Sequence, residues 1–148
     1  MSRPDDSESV GDARAWLWAH LEHGEHCPLC HQFAKLYRRK LTASIGRVLI
    51  NMWRTGRHNW VYLPHIRSAG QDESISRFWG LIEPKDDESG FWRLTALGIL
   101  FIHNNAKVPK YAYIYNNHCQ RLDWSEGEVS ITDVLGTRFD WNDLMRGV

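Results

Sequence analysis

The sequence predicts an α+β fold that is mainly helical, and three of its features carry that prediction. Apolar residues recur at helical spacing from Phe33 to Met52. Two short apolar runs, LIE and FWRL, flank the polar tip PKDDESG. A segment dense in cysteine and histidine, HCPLCH, separates the first two expected helices.

Length and composition set the frame. At 148 residues the chain is one domain, or one domain with short appendages, and is long enough to bury a core. Hydrophobic residues make up 43% of it, which excludes a chain too polar to fold. Tryptophans run from Trp16 to Trp141, so the fold is expected to involve nearly the whole length. No apolar run is long enough to cross a bilayer, and the start, MSRPDDSESVGDA, lacks the apolar centre of a signal peptide. The expected location is therefore cytoplasmic, with no membrane partner. The three cysteines Cys27, Cys30 and Cys119 then point to metal binding or free thiols, not to a disulfide framework.

The elements follow in order. Residues 1–10 are expected to form a disordered acidic tail. Residues 11–31 should hold a first helix, about 13–23, capped by Asp12 and ended by Gly24, followed by the Cys/His knuckle. A long helix is expected over about 32–55, because Phe33, Tyr37, Leu41, Ile45, Val48 and Met52 share a face. Gly56 would end it. NWVYL has strand composition, Pro64 suits the start of a short helix, and Asp72 or Ser74 can cap a helix over ESISRFW. LIE and FWRLT read as the two strands of a hairpin, and Thr95 caps the apolar helix TALGILFIHN. These elements fill a domain over 32–108. Residues 109–148 should add a strand, KYAYIYNN, and two short helices capped by Ser130 and Asp140.

The run SISRFWGLIEPKDDESGFWRLTALGILFI resembles the second half of a winged helix-turn-helix domain, as in MarR-like and PadR-like regulators. The matching pieces are Gly80–Glu83, the tip Pro84–Gly90, Phe91–Thr95 and the Thr-x-x-Gly helix start Thr95–Gly98. The resemblance covers the middle of the chain. It implies a winged helix-turn-helix with an N-terminal Cys/His knuckle and a C-terminal α/β extension. It also implies DNA binding, with Asp72–Trp79 as the recognition helix and Pro84–Gly90 as the wing. On that reading Ser76 and Arg77 face base edges, while Arg54, Arg57, His58, Arg67 and Lys85 contact phosphates. A homodimer would fit the analogy with such regulators.

The charge pattern supports an anionic partner and complicates this assignment. No Asp or Glu stands between His26 and Gln71, a stretch holding Lys35, Arg38, Arg39, Lys40, Arg47, Arg54, Arg57 and Arg67. Both ends of the chain are acidic, so the alternative is that they fold back onto the basic middle. The wing carries Asp86, Asp87 and Glu88 against Lys85, which is the wrong sign for phosphate. A protein-interaction module, such as an adaptor or inhibitor of a larger assembly, is the second reading.

Cys27-x-x-Cys30 offers two thiolates on one turn, a bite suited to structural zinc. His118 and Cys119 are the best distant ligands, with His23, His26 and His31 as local ones. Two free thiols in a turn are the plainer alternative. No phosphate-binding glycine loop, nucleophile elbow or His-Glu-x-x-His helix is present, so no enzymatic role is expected.

Overall fold

A computed structural model describes residues 3–5, 9–66 and 73–148. In chain order its elements are α1 (Val10–Ala19), β1 (Glu25–His26), β2 (Phe33–Ala34), β3 (Tyr37–Lys40) and α2 (Ala43–Gly56). Next come β4 (Val61–Tyr62), 3₁₀ segments at Leu63–His65 and Glu73–Trp79, β5 (Ile82–Pro84), β6 (Phe91–Leu94) and α3 (Ala96–Ile102). The chain closes with β7 (Val108–Tyr115), β8 (His118–Val129), α4 (Ile131–Leu135) and α5 (Trp141–Leu144). The strands form three small sheets: β1-β2, β3-β7-β8 and β4-β6-β5.

Two compact units result. One comprises Met1–Arg39 with Tyr113–Arg121, and the other Lys40–Ala112 with Leu122–Val148.

In the first unit, Ser9 caps α1 by accepting from the Asp12 amide, and the Asp12 carboxylate accepts from the Ser9 amide in return. Ser9 rather than Asp12 is thus the cap, and the helix starts earlier than the sequence suggested. Trp16 is buried and stacks on His20 at 4.4 Å. His20 Nδ1–H donates to the Trp16 carbonyl at 2.7 Å, which fixes the last turn. Strands β1 and β2 pair antiparallel, with Glu25 opposite Ala34 and His26 opposite Phe33. The β7–β8 turn, Asn116-Asn117, has φ of 49° and 63° at its two residues. Asparagine tolerates this left-handed region, which a two-residue hairpin turn requires.

In the second unit, Thr42 caps α2 by accepting from the Ile45 amide at 3.3 Å. The helix buries Ile45, Val48, Leu49, Ile50 and Met52 against α3, α4 and β6. The expected hairpin forms: β5 and β6 pair with Ile82 opposite Leu94 and Glu83 opposite Arg93. Strand β4 adds to its far edge, with Val61 opposite Trp92. The Thr95 side chain accepts from the Gly98 amide at 3.0 Å and donates to the Gly80 carbonyl, tying α3 to the start of the hairpin. Gly98 allows that approach, since a Cβ there would lie 2.0 Å from the Leu81 carbonyl oxygen.

The expectation of a mainly helical winged helix-turn-helix is corrected by this architecture. Among the described residues helix, 3₁₀ turns included, accounts for 36% and strand for 27%, in three small sheets, and three α-helices reach seven residues. The expected recognition helix is a 3₁₀ segment over Glu73–Trp79, and Asp72 lies outside the described residues. The long helix over 32–55 is two short strands followed by α2. The physical reason is an ambiguity of period. Positions 33, 37 and 41 share a helix face, but being four apart, an even spacing, they also share a strand face. In a helix Lys35 would face Arg38 and Arg39 at i+3 and i+4, a like-charge cluster that opposes a helical turn there. Thr42 supplies the start signal that the apolar spacing obscured.

Candidate functional site

The Cys/His knuckle is the six-residue tip of the β1–β2 hairpin. The Cys27 amide donates to the Gln32 carbonyl at 2.7 Å, and the His31 amide donates to the Cys27 carbonyl at 2.9 Å. His31 accepts φ of 63° to close the turn. This folds the tip so that backbone amides point at the Cys27 sulfur. The amides of Cys30 and Leu29 hydrogen-bond it, as do the Cys30 side chain and the His31 amide. These bonds, led by the Cys30 amide, hold the Cys27 thiol below its ordinary pKa, because they favour the thiolate. His26 Nδ1–H donates to the His31 carbonyl at 3.0 Å, and its ring meets Phe33 edge-on at 5.3 Å.

Beside the knuckle lies a cleft of about 220 Å³. Its walls include both thiols, the rings of Phe33, Tyr37 and Tyr115, and the Lys35 ammonium. No carboxylate is among the described residues that line it. Phe33 and Tyr37 are each 54% exposed, and the Phe33 ring also packs over Gly24 and against His26. Lys35 Nζ stands 5.8 Å from the centre of the Tyr37 ring, close enough for a cation–π contact. Trp18 props Tyr115 from behind, edge to face at 5.4 Å. An adjoining groove of about 390 Å³ is mostly apolar and includes Val10, Leu17, Trp18 and Leu29. The same unit pairs Arg121 with Glu22 at 3.5 Å and stacks it on Tyr113 at 4.1 Å.

The sequence-predicted contact residues are distributed otherwise. Arg54 donates to the Leu144 and Arg146 carbonyls at 2.7 and 2.9 Å, so it caps the C-terminal helix. Arg57 takes φ of 55° at the end of α2 and lies over Trp53, which His58 meets edge-on. Ser76 is 0% exposed, so its hydroxyl is not available to a base edge. Arg77 donates to the Ser74 carbonyl at 2.8 Å and covers the Phe78 ring, and burial pulls its pKa down. Lys85 pairs with Glu88 at 2.5 Å, and that hydrogen bond raises its pKa. Arg67 lies outside the described residues.

The structure brings Cys27 and Cys30 together and leaves His118 and Cys119 apart from them. Cys119 donates instead to the Arg121 carbonyl at 3.5 Å, and burial pushes its thiol pKa up. No three His, Cys, Asp or Glu side chains gather around a metal-sized space among the described residues.

Sequence reasoning missed Phe33, Lys35, Tyr37 and Tyr115. The signal that was available is alternation: 33, 35 and 37 are ring, ammonium, ring at strand spacing. Comparison with protein-family models, curated proteins and solved structures finds no match for this chain.

Proposed function

We propose that this protein binds DNA, in the manner of a small regulator, and that the cleft beside the knuckle is the contacting surface. The observation that carries the reading is the cleft's lining: three aromatic rings and an ammonium, with no carboxylate among the described residues. Rings presented this way stack on bases, and nearby cations follow the phosphate backbone. Lys35 serves as the phosphate contact at the cleft. Arg38 and Arg39, two residues on in the same acid-free stretch, extend the positive potential along β3. A stacking cleft favours unpaired bases, so a single strand or an opened duplex is the better ligand.

A protein partner is the second reading, supported by the acidic hairpin tip with Asp86, Asp87 and Glu88 exposed and by the apolar groove of Val10, Trp18 and Leu29. Salt separates the two. Retention on single-stranded DNA across a salt series should fall steeply, and Lys35→Ala should flatten the slope of log K against log salt by about 1. Absence of retention at low salt removes the DNA reading.

A further inference from the structure

We propose that the knuckle is a thiol modification site: an anionic low-molecular-weight disulfide thiolates Cys30, and the adduct closes the cleft to nucleic acid. The proposal rests on the DNA-binding reading of the same cleft.

The cleft combines what such a site needs. Two free thiols, Cys27 and Cys30, line it together with the rings of Phe33, Tyr37 and Tyr115. Cys30 is exposed, so it is open to a reagent arriving from solvent. Lys35 is the one charged group among the described residues that line the cleft. A disulfide that carries more carboxylates than ammonium groups is therefore drawn toward the thiols, and no carboxylate of the lining repels it. Cys119 offers an internal contrast. It does not line the cleft, and its thiol donates to the Arg121 carbonyl.

The chemistry is thiol–disulfide exchange. Cys30 gives its proton to water, and the thiolate attacks one sulfur of the disulfide. A bond forms between that sulfur and the Cys30 sulfur, the disulfide's own sulfur–sulfur bond breaks, and the second half leaves as a thiolate that takes up a proton. Cys30 is oxidised and the leaving half is reduced, so no further oxidant is required. Excess reduced thiol reverses the step.

The adduct has two effects on the site. It fills part of a space of about 220 Å³ in which a base would stack. It also brings carboxylates to Lys35, the residue assigned to phosphate, and so replaces attraction of the backbone by repulsion.

The test measures binding of the full chain to a labelled single-stranded oligonucleotide by fluorescence anisotropy, before and after equilibration with glutathione disulfide. Peptide mass spectrometry locates the adduct. The expected result is one glutathione on Cys30, an affinity about tenfold lower or less, and recovery with dithiothreitol. In Cys30→Ser the treated and untreated affinities should be equal, whereas Cys119→Ser should lose affinity on treatment as the parent does. Unchanged affinity with Cys30 modified overturns the proposal. So does an adduct confined to Cys119, an internal Cys27–Cys30 disulfide in place of the adduct, or a Cys30→Ser chain that still loses affinity on treatment. A circular dichroism spectrum altered by thiolation overturns it too, since the loss would then be one of folding. An untreated parent that binds no oligonucleotide removes the DNA reading, and this proposal with it, before any disulfide is added.

Discussion

The two units solve the problem of holding a fold in opposite ways. The second buries nearly one whole face of α2, with Ile45, Val48, Leu49 and Ile50 packed against Phe101, Ile102, Ile131 and Leu135. Among the described residues, the first buries the apolar side chains Ala13, Trp16, Leu21 and Ala34, and leaves Val10, Trp18, Leu29, Phe33 and Tyr37 in contact with water. A large aromatic side chain in water forgoes about 1.5–3 kcal/mol of burial. Phe33 and Tyr37, each 54% exposed, forgo part of that on one cleft, the feature on which the proposed binding surface rests. The second unit also exposes Leu100 and Trp124, but it has the larger interior, whereas the first presents Phe33 and Tyr37 together on one cleft. A unit with so small a core is also of the kind that metals or partners commonly stabilise.

The sharpest way to break this contrast is to delete a ring in each unit. Phe101→Ala should cost about 3–5 kcal/mol in urea denaturation, since the ring is wholly buried. Phe33→Ala should change stability by under about 0.5 kcal/mol, because the ring is exposed. Equal losses would mean that Phe33 belongs to a core, and the functional reading of the cleft would fall.

Next in size is Gly98→Ala. The new methyl meets the Leu81 carbonyl oxygen, a backbone atom that cannot swing away, so a loss of about 1–3 kcal/mol is expected. A neutral result would show that α3 and the hairpin are less tightly joined than the geometry requires.

Smaller again is the cap of α4. Ser130→Ala should cost about 0.5–2 kcal/mol, because the Ser130 side chain accepts from the Asp133 amide and the Asp133 carboxylate accepts from the Ser130 amide. The Ser130 amide holds the Asp133 carboxyl below the usual range, with the Ser130 side chain as a second cause. Its folded pKa being the lower one, the contribution is present above the unfolded pKa and fades as pH falls through the folded value. Acid titration of stability should therefore flatten in Asp133→Asn, and an unchanged acid limb would exclude the box as its source.

The least effect on stability, but a clear one in chemistry, is expected of the thiols. Cys27, with amides aimed at its sulfur, should alkylate with iodoacetamide before Cys119, whose thiol pKa is raised by burial. Peptide mass spectrometry reads the order, and the reverse order would contradict the knuckle geometry.

Local signals in the sequence were legible where one residue had one job. Thr95, Ser130 and Asp140 announce helix starts and provide them, and the runs around PKDDESG announce the hairpin and form it. The stretch from Phe33 to Leu41 was misread because a spacing of four satisfies helix and strand alike, and only the cap at Thr42 distinguishes them. A related ambiguity attaches to the expected contact residues. Charge in the sequence does not reveal whether a side chain is already engaged. Arg54 is spent on carbonyls some ninety residues away, and Ser76 lies inside the second unit. The Cys-x-x-Cys turn was plain, whereas the ring, ammonium, ring alternation beside it was hidden by the helical reading.

On the proposed DNA-binding reading, the first unit's cleft, and not the end of α2, meets the nucleic acid. Fluorescence anisotropy of a labelled single-stranded oligonucleotide tests it, with Tyr37→Ala set against the double variant Arg54→Ala, Arg57→Ala. Loss of one stacking ring should weaken binding about five- to a hundredfold, while the double variant, matched for folded fraction, should bind as the parent does. Weakened binding in the double variant with Tyr37→Ala unaffected would contradict it.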